Sequence, residues 1–279
     1  MVWRTKDMVT PFVGVKLWSN FMRIALLSDI HGNPLALEAV LADIAAQGGV
    51  DIYWLLGDFA SLGYDPVGVL ERVTQLPNAF FLRGNHDRYT VTGERPGPTL
   101  EQAQDNPKLM PLLLTMAANL AWTQGQIRAS GWWDWLAQLP LELRLTLPDG
   151  TRLLGVHAAP GLDDGTGITP ILSDGELRDV LAPAGADLVI VGHTHVPLDR
   201  TIEQVRVVNL GSVSNPMKPR REASYAMLQA DSAGYNVQMR YVEYDREAVI
   251  AELQRVKHPT VDFLTKFMRS EMLPPWSQR

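Results

Sequence analysis

Residues Leu188–His195 read LVIVGHTH, and the reading of this stretch decides the fold. Four apolar residues, three of them β-branched, form a short run closed by a glycine, the pattern of a buried strand. Gly192 lets the chain turn, and His193 and His195 then project from the loop beyond the strand end. Two imidazoles so placed are poor core residues and good metal ligands. A lone His-x-His arises by accident, so the weight falls on whether the arrangement recurs.

It recurs four times. Ile24–Leu27 runs into Ser28-Asp29-Ile30-His31-Gly32-Asn33, and Ile52–Leu56 into Gly57-Asp58. Ala79–Leu82 runs into Arg83-Gly84-Asn85-His86-Asp87, and Leu153–Val156 into His157. Each run is a candidate strand with Asp, Asn or His at its carboxyl edge, where open α/β sheets bind their ligands. Five of the six histidines sit at these edges, and His258 alone lies elsewhere. A turn with a capping polar residue explains any one fragment but not the ordered set.

The blocks Asp29-x-His31, Gly57-Asp58, Gly84-Asn85-His86-Asp87, His157 and Gly192-His193-Thr194-His195 resemble, in order, the five motifs of the calcineurin-like metallophosphoesterases. The resemblance spans Met22 to about Asp245 and is weak from Tyr89 to Pro140. The form Ser-Asp-Ile-His-Gly-Asn is most similar to the small bacterial branch. One departure is Ala158, where that family commonly has a glycine, which bears on the local turn and not on the ligand. The resemblance implies an α/β fold, a four-layer βαβα sandwich of two mixed sheets flanked by helices, with a helical insertion.

The resemblance also implies a site. One divalent ion would be held by Asp29, His31, Asp58 and His195, and a second by Asp58, Asn85, His157 and His193. Asp58 would bridge them, with the hydroxide between the ions as nucleophile for in-line attack on a phosphate ester. Two ions bring +4, two aspartates and a hydroxide remove three, and one positive charge remains to attract phosphate. Neutral Asn85 preserves that surplus. His86 would face the scissile phosphate as proton donor, with Asp87 hydrogen-bonded to it and favouring its charged form. The donors are carboxylate, imidazole and carboxamide without sulfur, which suits Mn²⁺ foremost, or Fe²⁺, Zn²⁺ or Ni²⁺, and disfavours an all-oxygen Ca²⁺ site. Arg83, Arg220 and Arg221, with Lys218, are weaker candidates for substrate phosphate, against the alternatives of a carboxylate partner or a solvated basic loop.

Composition narrows the classes. A chain of 279 residues, 46% hydrophobic, suffices for one large α/β domain. It contains no cysteine, which excludes disulfides, thiolate metal sites and a cysteine nucleophile, and fits the reducing cytoplasm. With 25 basic and 31 acidic residues the formal charge is −6, against a general nucleic-acid binder. No apolar run approaches the ~18 residues that span a bilayer. Residues 1–21 lack both the continuous apolar core and the cleavage site of a signal peptide. Translation starting at Met22, or a poorly fixed extension, is the expectation there, and N-terminal sequencing of the native protein tests it. The phosphoesterase domain is then 22–257, with 89–140 as a helical cap and 258–279 as a C-terminal helix and tail.

Local signals fill in the elements. Asn33-Pro34 caps a helix whose apolar face is Leu35, Leu37, Val40, Leu41 and Ile44, ended by Gly48-Gly49. Val67–Thr74 is a second helix. In the insertion Thr99 caps a helix, and Leu109–Leu120 and Ser130–Leu139 are helical. Trp122, Trp132, Trp133 and Trp135 hold half of the eight tryptophans; most should pack against the core, with Trp133 the candidate for an exposed contact. Leu141–Leu147 and Thr151–Val156 form a hairpin, and Gly161–Gly167 with Asp163 and Asp164 reads as a solvated loop. Ser173–Leu181 is a capped helix, Val205–Val208 and Ala223–Leu228 are strands, and Asn236–Tyr244 returns as another. Arg246–Lys257 and Thr260–Ser270 close the chain as helices.

The expected activity is a phosphodiesterase on small molecules or nucleotides. Alternatives are a phosphomonoesterase of protein-phosphatase type, a dinucleoside-polyphosphate hydrolase and, remotely, a non-enzymatic scaffold, a role that a relative of this fold fills.

Overall fold

The structure is a computed structural model that describes residues 21–273. The chain opens as β1 (Phe21–Leu27), α1 (Pro34–Ala46), β2 (Ile52–Leu56), α2 (Pro66–Val73) and β3 (Ala79–Leu82). α3 (Asn85–Thr92) leads from the Gly-Asn-His-Asp block into the insertion, which carries α4 (Leu100–Asp105), α5 (Met110–Ser130) and α6 (Trp133–Ala137). Then come β4 (Glu142–Thr146), β5 (Arg152–Val156), α7 (Asp174–Leu181), β6 (Leu188–Val191), β7 (Leu198–Ile202) and β8 (Val205–Asn209). The long hairpin of β9 (Ala223–Asp231) and β10 (Gly234–Val242) precedes α8 (Arg246–Arg255) and α9 (Val261–Met268).

The strands make two five-stranded mixed sheets, ordered β10-β9-β1-β2-β3 and β4-β5-β6-β8-β7. Strands buried on both faces read as unbroken apolar runs, and the pleat divides their residues. Met22, Ile24 and Leu26 of β1, Ile52, Trp54 and Leu56 of β2, and Leu188 and Ile190 of β6 share the core between the sheets. Ala25, Leu27 and Leu55 face α1 and α2 on one outer side, and Val189 and Val191 face α7 on the other. The result is the four-layer sandwich. Trp54 is fully buried, and a Cβ on Gly155 would lie 3.1 Å from its ring, so glycine is what lets the sheets close there. Truncating that ring to alanine would cost roughly 3–5 kcal/mol.

The helix signals behave as their chemistry requires. Asn33 Oδ1 accepts from the Ala36 amide and Ser173 caps α7 with Glu176 answering from the third position. Leu35, assigned to the buried face of α1, is instead 37% exposed, and Ala36 takes its place. The Gly-Asn-His-Asp block is not a loop throughout: Asn85 is the first residue of α3. Residues 110–120 are the first half of a single 21-residue helix, which runs on through Gly125 to Gly131, a glycine that caps it with φ 82°. β7 has no sequence counterpart above; its alternating exposed residues, Asp199 and Thr201, mark an edge strand.

Phe21, assigned to the extension, pairs with Asp231 as the first residue of β1; residues 1–20 lie outside the described range. Trp132, Trp133 and Trp135 all pack on the α1–α2 side of the core. Trp133 is not an exposed contact, because the Arg128 guanidinium stacks 3.4 Å from its ring centre. α9 packs with α8 over Leu62 and Tyr64, so the division at 257/258 falls within one apolar cluster. Among the described residues no helix is long and apolar enough to cross a membrane.

Candidate metal centre

The carboxyl ends of β1, β2, β5 and β6 and the start of α3 converge. The chain turns hard at this edge: Asp29, His31, Asp58, His193 and His195 hold φ of 59°, 47°, 55°, 68° and 57°. Left-handed backbone costs a non-glycine residue on the order of 1–2 kcal/mol, and such strain gathers where side chains must be aimed. Two glycines allow the approach. A Cβ on Gly84 would collide with the Asp58 carboxylate, and one on Gly192 with Ser28 Oγ and Asp29 Oδ2.

Three imidazoles are oriented by backbone carbonyls, which can only accept. His157 Nδ1 donates to Leu56 O (2.6 Å), His195 Nδ1 to Asn215 O (2.7 Å) and His193 Nε2 to Gly165 O (2.8 Å). The opposite nitrogen of each is thereby aimed inward. Asp29 Oδ1 lies 3.1 Å from His195 Nε2, 3.7 Å from His31 Nε2 and 4.0 Å from His157 Nε2. Asp58 Oδ2 lies between His31 Nε2 (3.6 Å) and His157 Nε2 (3.4 Å). Asn85 Oδ1 is 3.0 Å from both His157 Nε2 and His193 Nδ1. The structure thus brings all seven proposed ligands together.

Their unmet valences fit cations. His31 Nε2 and His195 Nε2 face each other at 3.1 Å, and the buried Asp29 Oδ1 makes no well-formed hydrogen bond. Burial alone would raise the Asp29 and Asp58 pKa values, yet the neighbouring histidines hold both below the usual carboxylate range. Conversely, burial opposes a charge on His157, but Asp58 and Asp29 push its pKa up to about 10. His195 is raised in the same way by Asp29. In the ion-free protein His157 thus holds a proton where a divalent ion would sit.

His86 and Asp87 part company. Asp87 is fully buried and its carboxylate accepts from the amides of Asp58 (2.8 Å), Phe59 (3.0 Å), Ala60 (3.3 Å) and Gly84 (2.9 Å). None of these bonds reaches the His86 ring, so Asp87 is not the partner expected; it ties the Asp58 loop to the start of α3. Burial, then repulsion from Asp58, raises its pKa to about 7. His86 Nδ1 meets Ser61 Oγ at 3.2 Å instead. Burial lowers the His86 pKa to about 4, with Asp58 opposing the shift, so it is not held charged.

The arginines lie off the centre. Arg83 Nε donates to Asp163 Oδ2 at 2.6 Å, the carboxylate partner that was its alternative role. Arg220 stacks 3.8 Å over Tyr241 and Arg221 is exposed, its amide donating to Glu222. Asp163 and Asp164 are not a solvated pair: Asp163 is buried against Arg83 and Arg88, and Asp164 takes Arg88 and the Tyr89 hydroxyl. Sequence reasoning missed Ser61 and Asn119, which carry no motif and lie 58 residues apart. It also missed the carbonyls of Leu56, Gly165 and Asn215, which no sequence signal marks.

The calcineurin-like phosphoesterase superfamily domain matches residues 22–233, and the chain belongs to that superfamily. It is 28% identical over 251 residues to an uncharacterized protein of Methanocaldococcus jannaschii, covering 85% of this chain and 93% of that one. It is 26% identical over 219 residues to the phosphodiesterase YfcE of Escherichia coli K12, covering 75% and 89%. The crystal structure of a metallophosphoesterase from Sphaerobacter thermophilus superposes with a TM-score of 0.68 at 26% identity, covering 90% of this chain and 99% of that one. Family and buried Asp/His cluster together indicate divalent-metal binding and a hydrolase acting on phosphoesters.

Proposed function

We propose that the chain is a two-metal phosphodiesterase that hydrolyses small phosphate esters, nucleotides included, by in-line attack of water. The observation that carries this reading is the set of inward-facing ring nitrogens, with His157, His193 and His195 each turned by a backbone carbonyl toward Asp29, Asp58 and Asn85. Asp29, His31, Asp58 and His195 would hold one ion and Asp58, Asn85, His157 and His193 the other, with Asp58 shared. A bound pair of divalent ions supplies an acidified water and positive charge against the phosphoryl oxygens. The donor set favours Mn²⁺, with Fe²⁺, Zn²⁺ or Ni²⁺ as substitutes.

The chain supplies the rest. Asp29 and Asp58 contribute two negative charges and Asn85 none, which keeps the centre attractive to a phosphate anion. Among the described residues His86 forms its side-chain hydrogen bond through Nδ1, and Nε2 is the donor we assign to a phosphoryl oxygen or the departing alkoxide. Asp87 acts through Asp58 and Gly84, not through His86. The diester preference is supported by the likeness to a phosphodiesterase. A cysteine-free chain suits a reducing compartment, and we assign it to the cytoplasm. The test is metal analysis with hydrolysis of bis-p-nitrophenyl phosphate and p-nitrophenyl phosphate under added Mn²⁺. Cleavage of the diester well above the monoester is expected, and a fully loaded protein that cleaves neither refutes the proposal.

A further inference from the structure

What His86 offers a substrate depends on which ring nitrogen carries its proton, and the hydrogen bonds behind the ring decide that. The Leu62 amide donates to Asn119 Oδ1 at 3.3 Å, which fixes the orientation of the Asn119 carboxamide. Its Nδ2 is thereby turned to Ser61 Oγ at 2.6 Å. An amide nitrogen only donates, so the serine oxygen accepts and its own hydrogen is left for a second partner. The acceptor in reach is His86 Nδ1 at 3.2 Å. A nitrogen that accepts there has no proton, so neutral His86 carries its proton on Nε2, the side without a protein partner.

The supports are rigid. Ser61 is 1% and Asn119 2% exposed. Ser61 and Leu62 both hold left-handed backbone, with φ 68° and 56°, and Thr123 Oγ1 closes onto the Asn119 carbonyl at 3.0 Å. Asn119 lies in the middle of α5, so the polar contact between the insertion and the histidine runs through these two side chains.

We infer that Asn119 and Ser61 form a positioning relay by which the helical insertion fixes His86 as the Nε2–H tautomer. The consequence for turnover rests on the phosphoesterase reading above; the tautomer itself does not. Neither residue touches substrate. They act through the ring of His86.

The test uses the full chain loaded with Zn²⁺, labelled with ¹⁵N-histidine, and long-range ¹H–¹⁵N spectra that distinguish the two tautomers; His86→Gln assigns the signals. Wild type should show Nε2–H. Ser61→Ala should let the Nδ1–H form appear and lower kcat on the diester about tenfold, with KM and metal content within about twofold. Ser61→Thr keeps the hydroxyl and should restore the Nε2–H form and kcat, at a cost in stability because its β-branch is strained at φ 68°. Asn119→Asp should turn the serine hydroxyl round, shift His86 to Nδ1–H and lower kcat on the order of 100-fold. Ser61→Ala and Ser61→Thr carry the test if Asn119→Asp does not fold. An Nδ1–H wild type, or a tautomer unmoved by Ser61→Ala and Asn119→Asp, overturns the relay. The expected tautomer shifts in a protein that hydrolyses no phosphate ester would uphold the relay and sink the functional reading.

Discussion

The proposed ligands around Asp58 fall into two arms that the chain holds by different means. One arm, Asp29, His31 and His195, is sealed: His195 is anchored on Asn215 O, and the Asp29 carbonyl accepts from Ser212 Oγ and the Ser214 amide. In the other arm His157 is equally buried, but His193 is only partly buried and leans on Gly165 O in the 161–167 loop. That loop is held by Asp163 and Asp164 gripping Arg83 and Arg88. The first arm is thus built into the sheets, and the second depends in part on a latch of ion pairs.

Asp58 belongs to both arms, and breaking it should erase the difference. Asp58→Asn keeps the shape and removes the charge that His31 and His157 share. Activity should fall at least about 1,000-fold, and metal analysis should show both ions depleted. A variant that keeps one ion per chain and more than a tenth of the activity would show that the arms are independent.

The arms separate in the next pair. Removing His195 leaves the buried Asp29 carboxylate without its nearest partner, a loss of about 3–5 kcal/mol in the ion-free protein. His193→Ala removes a partly buried ring that pairs with no carboxylate in the protein and should cost about 1–2 kcal/mol while still emptying one pocket. Thermal unfolding with and without EDTA, read beside metal content, checks both; equal destabilisation would erase the contrast.

Protons should report on the arms too. His157 has its pKa raised from 6.5 to about 10 in the ion-free protein, so from pH 6.5 to 10 the folded chain binds a proton that the unfolded chain has lost. Its stabilising contribution is complete below 6.5 and disappears as pH rises through 10. An ion must displace this proton, so metal binding should release protons at neutral pH and tighten as pH rises. Titration calorimetry at pH 7 in buffers of different ionisation enthalpy measures the release; no release would mean that His157 is neutral and free before the ion arrives.

Both arms were legible in their ligands and neither in its supports. One apolar run followed by a turn residue and a polar side chain can be a capped turn, but five in order announce themselves in the sequence. The seven proposed ligands could therefore be read from residue type. The carbonyls that aim His157, His193 and His195 could not, because a backbone oxygen carries no sequence identity. Asp87 misled for a related reason: adjacency to His86 suggested contact, but once Asn85 begins α3 the helical turn aims consecutive side chains apart. Asn119 was invisible because one buried polar residue in an apolar helix matters only through what it meets.

Asp163→Asn is the mildest cut. It leaves every proposed ligand in place and weakens the grip of Arg83 and Arg88 on the 161–167 loop, so Gly165 O should hold His193 less firmly. Arg88 keeps Asp164 and both arginines reach solvent, but Asp163 itself is buried, so the loss of stability should be on the order of 1–2 kcal/mol. Metal affinity should fall several-fold in one pocket and not in the other, seen as one weakened step in a two-step titration. Loss spread equally over both steps would mean that the loop serves the whole edge, and the distinction between a built arm and a latched one would have to go.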